Sequence, residues 1–279
     1  MAQVVCLGEL LIDFVPVAPS DSGEYPTLFH QAAGGAPANV AVGLTRLGKS
    51  SAFMGQVGNE MFGRFLAATL RSAGVDISSL RFTSAAHTML AFVSLAADGE
   101  REFLFYGDPS ADKLFAPADV DELAIRSARV LHFGSIGLIP EPSRAATRHA
   151  IGLARQYGLR VSYDPNLRLS VWPDAQSART CLKLGLDQAE IVKIAADEAQ
   201  FLTGIDDPLR AARSLWHANM TLMVVTLGAA GCIRVTPNEH GTVPGFSVEA
   251  VDTTGAGDAF TAGLLSGLLD LPDLRPDSA

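Results

Sequence analysis

Short β-branched and apolar runs alternate along this chain with longer stretches in which apolar residues recur every three to four positions. That alternation predicts parallel strands joined by crossover helices: an α/β fold with a doubly wound, mostly parallel sheet flanked by helices. Strands are expected at Val4–Gly8, Ser51–Val57, Val130–Gly134, Arg160–Asp164, Ile191–Ile194 and Leu222–Thr226, each buried on both faces. Gly48, Gly74, Gly158 and Gly204 follow helical stretches and suit left-handed C-caps. One region departs from the alternation. Thr88–Ala97 and Arg101–Tyr106 are strand-like runs about the turn dipeptide Asp98-Gly99, which favours an antiparallel hairpin. With the extended segment Phe14–Phe29 it predicts a small β-layer, read either as a lid over a site or as an ordinary edge hairpin. No repeat, low-complexity tract or linker divides the 279 residues. A single domain is expected, with a β lid from about residues 14–30 and 82–110.

Composition narrows the class. Twenty-one Lys and Arg against 30 Asp and Glu give a formal net charge of −9, which argues against nucleic-acid and membrane-surface partners. At 48% hydrophobic and 18% charged residues the chain is of the globular kind. No apolar run reaches the roughly 18 residues of a membrane helix, and Met1–Phe14 contains no basic segment, so a cytoplasmic protein is expected. Cys6, Cys181 and Cys232 are widely spaced and suit a reducing compartment.

One motif misleads. Gly43–Ser50 fits the phosphate-binding P-loop pattern, but a P-loop must leave a strand and open a helix. Here the order is inverted. Ala38–Leu47 reads as a helix with Val40, Leu44 and Leu47 on one face, Gly48 caps it, and a strand starts at Ser51.

The most informative segment is Val251–Phe260. Gly255 and Gly257 let the backbone turn its N–H groups inward just before an apolar helix predicted over Ala259–Leu269, which makes an anion site. Asp258 falls in the first turn, where the helix dipole favours its ionised form and where an acid can accept a hydroxyl proton. Taken alone, Gly-x-Gly-Asp reads better as an Asp N-cap after a glycine turn. A second glycine pair, Gly34-Gly35, precedes Pro37, which opens a helix presenting Asn39, a side chain able both to donate and to accept toward a polyol. Asp13 follows the first strand, near the sheet end where open α/β folds bind ligands. Singly, Asp13 is equally a cap and Asn39 a polar helix residue.

Together these segments resemble a known family. Gly34–Gly48 and Asp252–Gly263 resemble the two signatures of the ribokinase-like (PfkB) carbohydrate kinases. Gly8–Asp13, Pro109–Asp112, His132–Ser135, Asp164–Arg168 and Val225–Gly228 resemble its fructokinase branch, so that the likeness runs from residue 4 to about 269. The resemblance implies ATP-dependent phosphorylation of a sugar hydroxyl, with Asp258 as base and the Gly255, Ala256 and Gly257 amides stabilising phosphate charge. By the same likeness Asp13, Gly34, Gly35, Asn39 and Phe103 hold the sugar. Asn166, Arg168, Lys193, Thr226 and Gly228 serve the nucleotide, Glu198 serves Mg2+ through water, and Asp252 and Thr254 hold a monovalent cation such as K+. Lys193 and Arg168 suit phosphate oxygens as cations at strand ends, although Lys193 alone reads equally as a surface lysine. The expected partner is a small sugar, with a homodimer through the lid. Fructose is the expected substrate; another sugar such as 2-keto-3-deoxygluconate, or a catalytically silent sugar-binding remnant, are the alternatives.

Three departures stand out. Ala195 replaces the Asn of the family's Asn-x-x-Glu motif, and Gly107 stands where fructokinases commonly have an arginine. Only 21 residues follow Asp258. From these the C-terminal part of the family fold is expected to be missing, leaving exposed apolar surface on the helix Ala259–Leu269.

Overall fold

The structure, a computed structural model, describes residues 1–17, 28–95, 101–249 and 253–274. Its main sheet is nine-stranded among these residues. In spatial order it runs β13 (His240–Val243), β12 (Cys232–Val235), β11 (Leu222–Thr226), β10 (Ile191–Ala195), β9 (Arg160–Tyr163), β8 (Val130–Phe133), β1 (Val4–Leu7), β4 (Ser51–Gly58) and β5 (Leu80–Thr83). Pairings from β11 to β5 are parallel, while β12 and β13 form an antiparallel edge. All six expected strands are present. The chain leaves β1 first toward β4 and later returns on its other side at β8, so the strand order reverses beside β1. A crevice at such a reversal, outside the C-terminal strand ends, is where open α/β sheets bind ligands.

Eight helices are described: α1 (Ala36–Arg46), α2 (Met61–Ser72), α3 (Glu122–Arg126), α4 (Ser143–Gln156), α5 (Ala175–Leu186), α6 (Ala196–Thr203), α7 (Pro208–Leu215) and α8 (Ala256–Leu269). Side chains alternate across each strand, so the sheet feeds two cores. Val5, Leu7, Leu131 and Phe133 pack with α4 and α5, whereas Val4, Cys6 and Phe53 pack with α1, α2 and α8. The glycines expected as C-caps all have positive φ, from 71° at Gly204 to 85° at Gly74. Gly48 ends α1 in this way, so the P-loop match does lie on a helix leading into a strand. Leu47 is a correction: it is exposed, because the chain is already leaving the helix at that residue.

The region that broke the alternation forms a second sheet, ordered β3 (Phe29–Gly34), β2 (Leu11–Pro16), β6 (Leu90–Leu95) and β7 (Arg101–Tyr106). It differs in extent from the expected lid. It begins at Leu11 and runs through Gly34, and Leu80–Thr83 joins the main sheet beside β4 instead. The Asp98-Gly99 turn lies outside the described residues. One face of this sheet buries Leu11, Met89 and Ala91 against Ile136. On the other, Phe14 stacks on Phe92 at 4.8 Å, with Phe29 and Tyr106 edge-on to Phe92. Among the described residues no helix is long and apolar enough to cross a membrane.

The helices α1 and α8 pack closely against one another. Asn39 meets Asp258, a Cβ on Gly43 would lie 2.6 Å from the Ala262 methyl, and Lys49 pairs with Asp270. The partners advance together along both segments, so the helices run side by side in the same direction, with both N-termini at one end. The outward positions of α8 are Ala256, Ala259, Gly263 and Gly267, while Phe260 and Leu264 are half-buried. The expected exposed apolar surface is therefore a strip of small residues.

Close packing behind the site gives a stability prediction. A Cβ on Gly185 of α5 would lie 2.5 Å from the ring of Tyr163, which is fully buried beside Asp164. Gly185→Ala ought to favour the helix but should instead destabilise the fold by about 1–3 kcal/mol through overpacking, read as a lower urea midpoint with an unchanged m-value.

Candidate active site

Two glycine turns shape the site. Gly255, the N-cap of α8, has φ 75°, and Gly35, the N-cap of α1, has φ 110°; neither residue has a side chain to cap its own helix. Two parallel N-termini put two positive dipole ends toward one point, and at α8 the first turn also keeps free N–H groups, whereas at α1 the Ala36 N–H is taken by Glu9 and Pro37 has none. The helix α8 starts at Ala256, three residues earlier than expected, so Asp258 is its third residue and not its N-cap. The Ala256 N–H donates to the Thr253 carbonyl at 3.1 Å. Within the first turn, the N–H groups of Gly257 and Asp258 have no intrahelical partner.

Asp258 is held from two sides. Asn39 Nδ2 donates to Oδ2 at 2.8 Å, and Asn166 Nδ2 donates to Oδ1 at 3.3 Å. Asn166 has φ 41°, a left-handed backbone that Asn tolerates better than most residues, and its own N–H donates to Asp164 Oδ1 at 3.3 Å. Burial pushes the Asp258 carboxyl up to about 6; the Asn39 hydrogen bond, Lys193 and Arg168 oppose this, while Asp164 adds to it. Asp13 lies across the Gly34-Gly35 turn, where a Cβ on Gly34 would fall 2.1 Å from its Oδ2. Burial raises Asp13 likewise to about 6, against the pull of Arg168. The Arg168 charge therefore reaches both carboxylates.

Lys193 is buried, not a surface lysine. It pairs with Asp164 Oδ2 at 3.2 Å, and a Cβ on Gly257 would be 3.0 Å from its Nζ. A cation thus lies directly under the first turn of α8. Burial works to lower its pKa, but the charges of Asp164, Glu198 and Asp258 outweigh that and leave it raised. Glu198, at the third position of α6, accepts the Leu167 N–H through Oε1 at 2.6 Å and the Ala195 N–H through Oε2 at 2.8 Å. Its carboxylate thereby ties the loop after β9 to the start of α6.

Thr226 ends β11 in register with Ala195, and Gly228 follows with φ 58°, two strands from Asp164 at the same end of the sheet. Phe103 pairs with Val93 in the second sheet. Thr254 is exposed beside Gly255, and Asp252 lies outside the described residues. Gly107, at the position where fructokinases commonly have an arginine, has φ 105°, a backbone suited to glycine.

Two residues in the cluster carry no role in the sequence reading. Asp164, 2% exposed, joins Lys193 to Thr261, whose Oγ1 donates to Asp164 Oδ2 at 2.9 Å. The signal for Thr261 is its place one turn after Asp258 on the inward face. Among the described residues no group of three or more His, Cys, Asp and Glu is placed to cage a metal. A groove between Arg160, Glu190 and Thr221 opens at the opposite, N-terminal ends of the strands.

Comparison with known proteins agrees with this fold. The profile of the pfkB family of carbohydrate kinases matches residues 1–275. Fructokinase-2 of Solanum lycopersicum is 50% identical over 279 residues, 99% of this chain and 84% of the relative. A fructokinase double mutant from Vibrio cholerae O395, solved with fructose, ADP and potassium ion, superposes with a TM-score of 0.87 at 39% identity, covering 98% of this chain and 86% of that one. Fructokinase from Xylella fastidiosa, solved with bound ATP, gives a TM-score of 0.90 at 34% identity over 100% of this chain and 88% of that one.

The raised carboxyls set a pH dependence. Whatever reaction needs Asp13 and Asp258 ionised should lose kcat/KM as pH falls through about 6, where both titrate, and not near 4. A kcat/KM profile between pH 4.5 and 8 checks this, and a flat profile down to pH 5 would contradict it.

Proposed function

The chain belongs to the pfkB family of carbohydrate kinases, and from that premise we propose that it phosphorylates fructose, consuming ATP and releasing fructose 6-phosphate and ADP. The observation that carries the reading is the Asp258 carboxylate, set between two asparagines at an uncapped helix N-terminus above a buried lysine. Asp13, Gly34, Gly35 and Asn39 line the sugar side, with Phe103 contributed by the second sheet acting as lid. In the transfer, Asp258 takes the proton of the primary hydroxyl. The hydroxyl oxygen bonds to the γ-phosphorus, the bond from that phosphorus to the β–γ bridging oxygen breaks, and ADP departs. The Gly257 and Asp258 amides, with Lys193 and Arg168, meet the charge on the transferring group; such stabilisation and positioning supply most of the acceleration in phosphoryl transfer.

The donor set suits a magnesium ion that arrives on the nucleotide, because the buried carboxylates nearby are already engaged and no protein cage is built among the described residues. When bound, the ion neutralises phosphate charge. Glu198 would hold its water shell, Asn166, Thr226 and Gly228 would border the nucleotide, and Asp252 with Thr254 would border a potassium ion. The relatives quoted above are named fructokinases, which favours fructose over a keto-acid sugar and an active enzyme over a silent remnant.

Leu28, Leu104 and Tyr106 are exposed, with Leu104 and Tyr106 on the aromatic face of the second sheet, away from Asp13. This face is the proposed homodimer contact. Sedimentation should show a dimer at micromolar concentration, and Leu104→Glu should shift it to monomer; a wild-type monomer would contradict the contact.

Coupled ADP release with MgATP and a sugar panel tests the reaction. Fructose should be turned over best, and Asp258→Asn should lower kcat by about 10²–10⁴-fold while the circular dichroism spectrum is unchanged. Near-normal turnover in that variant, or a preference for 2-keto-3-deoxygluconate, would overturn the assignment.

A further inference from the structure

Glu9 is a buried acid for which the chemistry above has no use. It sits in the turn between β1 and β2 and is 4% exposed. Its Oε1 accepts the N–H of Ala36, the first residue of α1, at 3.0 Å, and its Oε2 is buried without a hydrogen-bond partner among the described residues. The turn and the helix end are pressed together. A Cβ on Gly35 would lie 2.4 Å from the Glu9 carbonyl oxygen, and one on Gly8 would lie 2.6 Å from the Pro37 ring. Since Gly35 has no side chain to cap α1, the carboxyl of Glu9 reaches across from another segment and takes that task. Three residues beyond Ala36, Asn39 donates to Asp258.

We propose that Glu9 is a positioning residue of the kinase site: by latching the first turn of α1 it sets the Gly34-Gly35 turn against the sugar and aims Asn39 at Asp258. The proposal rests on the reading of this site given above. An ordinary capping carboxylate is exposed and charged. Glu9 instead faces two further acids: burial raises it to about 8, and the charges of Asp112 and Asp258 add to the rise. At neutral pH it is therefore mainly a neutral acid, offering one carbonyl acceptor and one O–H donor. A glutamine side chain offers the same pattern, which makes Glu9→Gln the conservative variant.

The experiment compares wild type, Glu9→Gln and Glu9→Ala by hydrogen–deuterium exchange of the segment 33–40 and by kcat and KM for fructose and MgATP. Should Glu9→Ala not fold, Glu9→Asp, whose carboxyl is one methylene short of Ala36, takes its place. Glu9→Gln should stay within about threefold of wild type in every quantity. The truncated variant should exchange faster at 33–40, with kcat reduced and the fructose KM raised by about tenfold, the scale of one lost buried hydrogen bond, while the MgATP KM stays within about twofold. Wild-type exchange and fructose KM in the truncated variant would overturn the latch. So would a Glu9→Gln variant as impaired as the truncation, or equal rises in both KM values. If wild type turned over no sugar, the functional reading alone would fail, and the exchange data would still decide the latch.

Discussion

The cluster of charged and polar side chains around Asp258 depends on two helices lying parallel at close range. A methyl at Gly43 would collide with Ala262, so α1 and α8 approach nearly to backbone contact there. That approach brings Asn39 within 2.8 Å of Asp258. Antiparallel neighbours would oppose a positive helix end to a negative one. The parallel pair instead adds two positive ends, each worth roughly half a charge, at one place. Such a place favours anions, and both turns leading into it are glycines with positive φ that keep side chains out of the way.

The same concentration of charge has to be balanced. Asp13, Asp164, Glu198 and Asp258 all approach the open end of the sheet, and unpaired buried carboxylates are costly. Balance comes from Lys193 within the cluster and Arg168 above it, and from amide and hydroxyl donors to nearly every carboxylate. The competition is visible in the outcome. For Asp13 and Asp258 burial still wins by enough to hold them near 6, where small changes in surroundings alter their charge. Lys193 goes the other way, because three carboxylates surround one ammonium.

Much of this is legible in the amino-acid sequence. Buried strands are short apolar runs, and left-handed C-caps are glycines after helices, so both are local properties. Element order alone excludes the P-loop match at Gly43–Ser50, and the fold shows why those residues exist: Gly43 serves the contact with Ala262, and Gly48 ends the helix. The start of α8 is hidden from sequence because Gly-Ala-Gly has poor local helix preference, which the surrounding fold overrides. Asp164, Thr261 and the placement of Glu9 are illegible for a different reason. Each acts through a partner far away in the chain, 97 residues for Thr261 and Asp164 and 27 for Glu9 and Ala36. No periodicity records such pairs. The resemblance to a kinase family singles out candidate residues, while only the geometry shows which of them hold one another.

The order of elements along the chain has a consequence for how the protein is made. Asn39 and Asp258 are 219 residues apart, and α8 is the last helix among the described residues. During synthesis the first strands and α1 emerge long before their partner. Until α8 docks, the groove at Gly43 stays open to water, with Val40, Ala41 and Leu44 near it lacking that cover. Nascent chains of this size commonly pass through such partly packed states and need protection from aggregation while they last. The contact between Asn39 and Asp258 thus forms only after most of the described chain has been made.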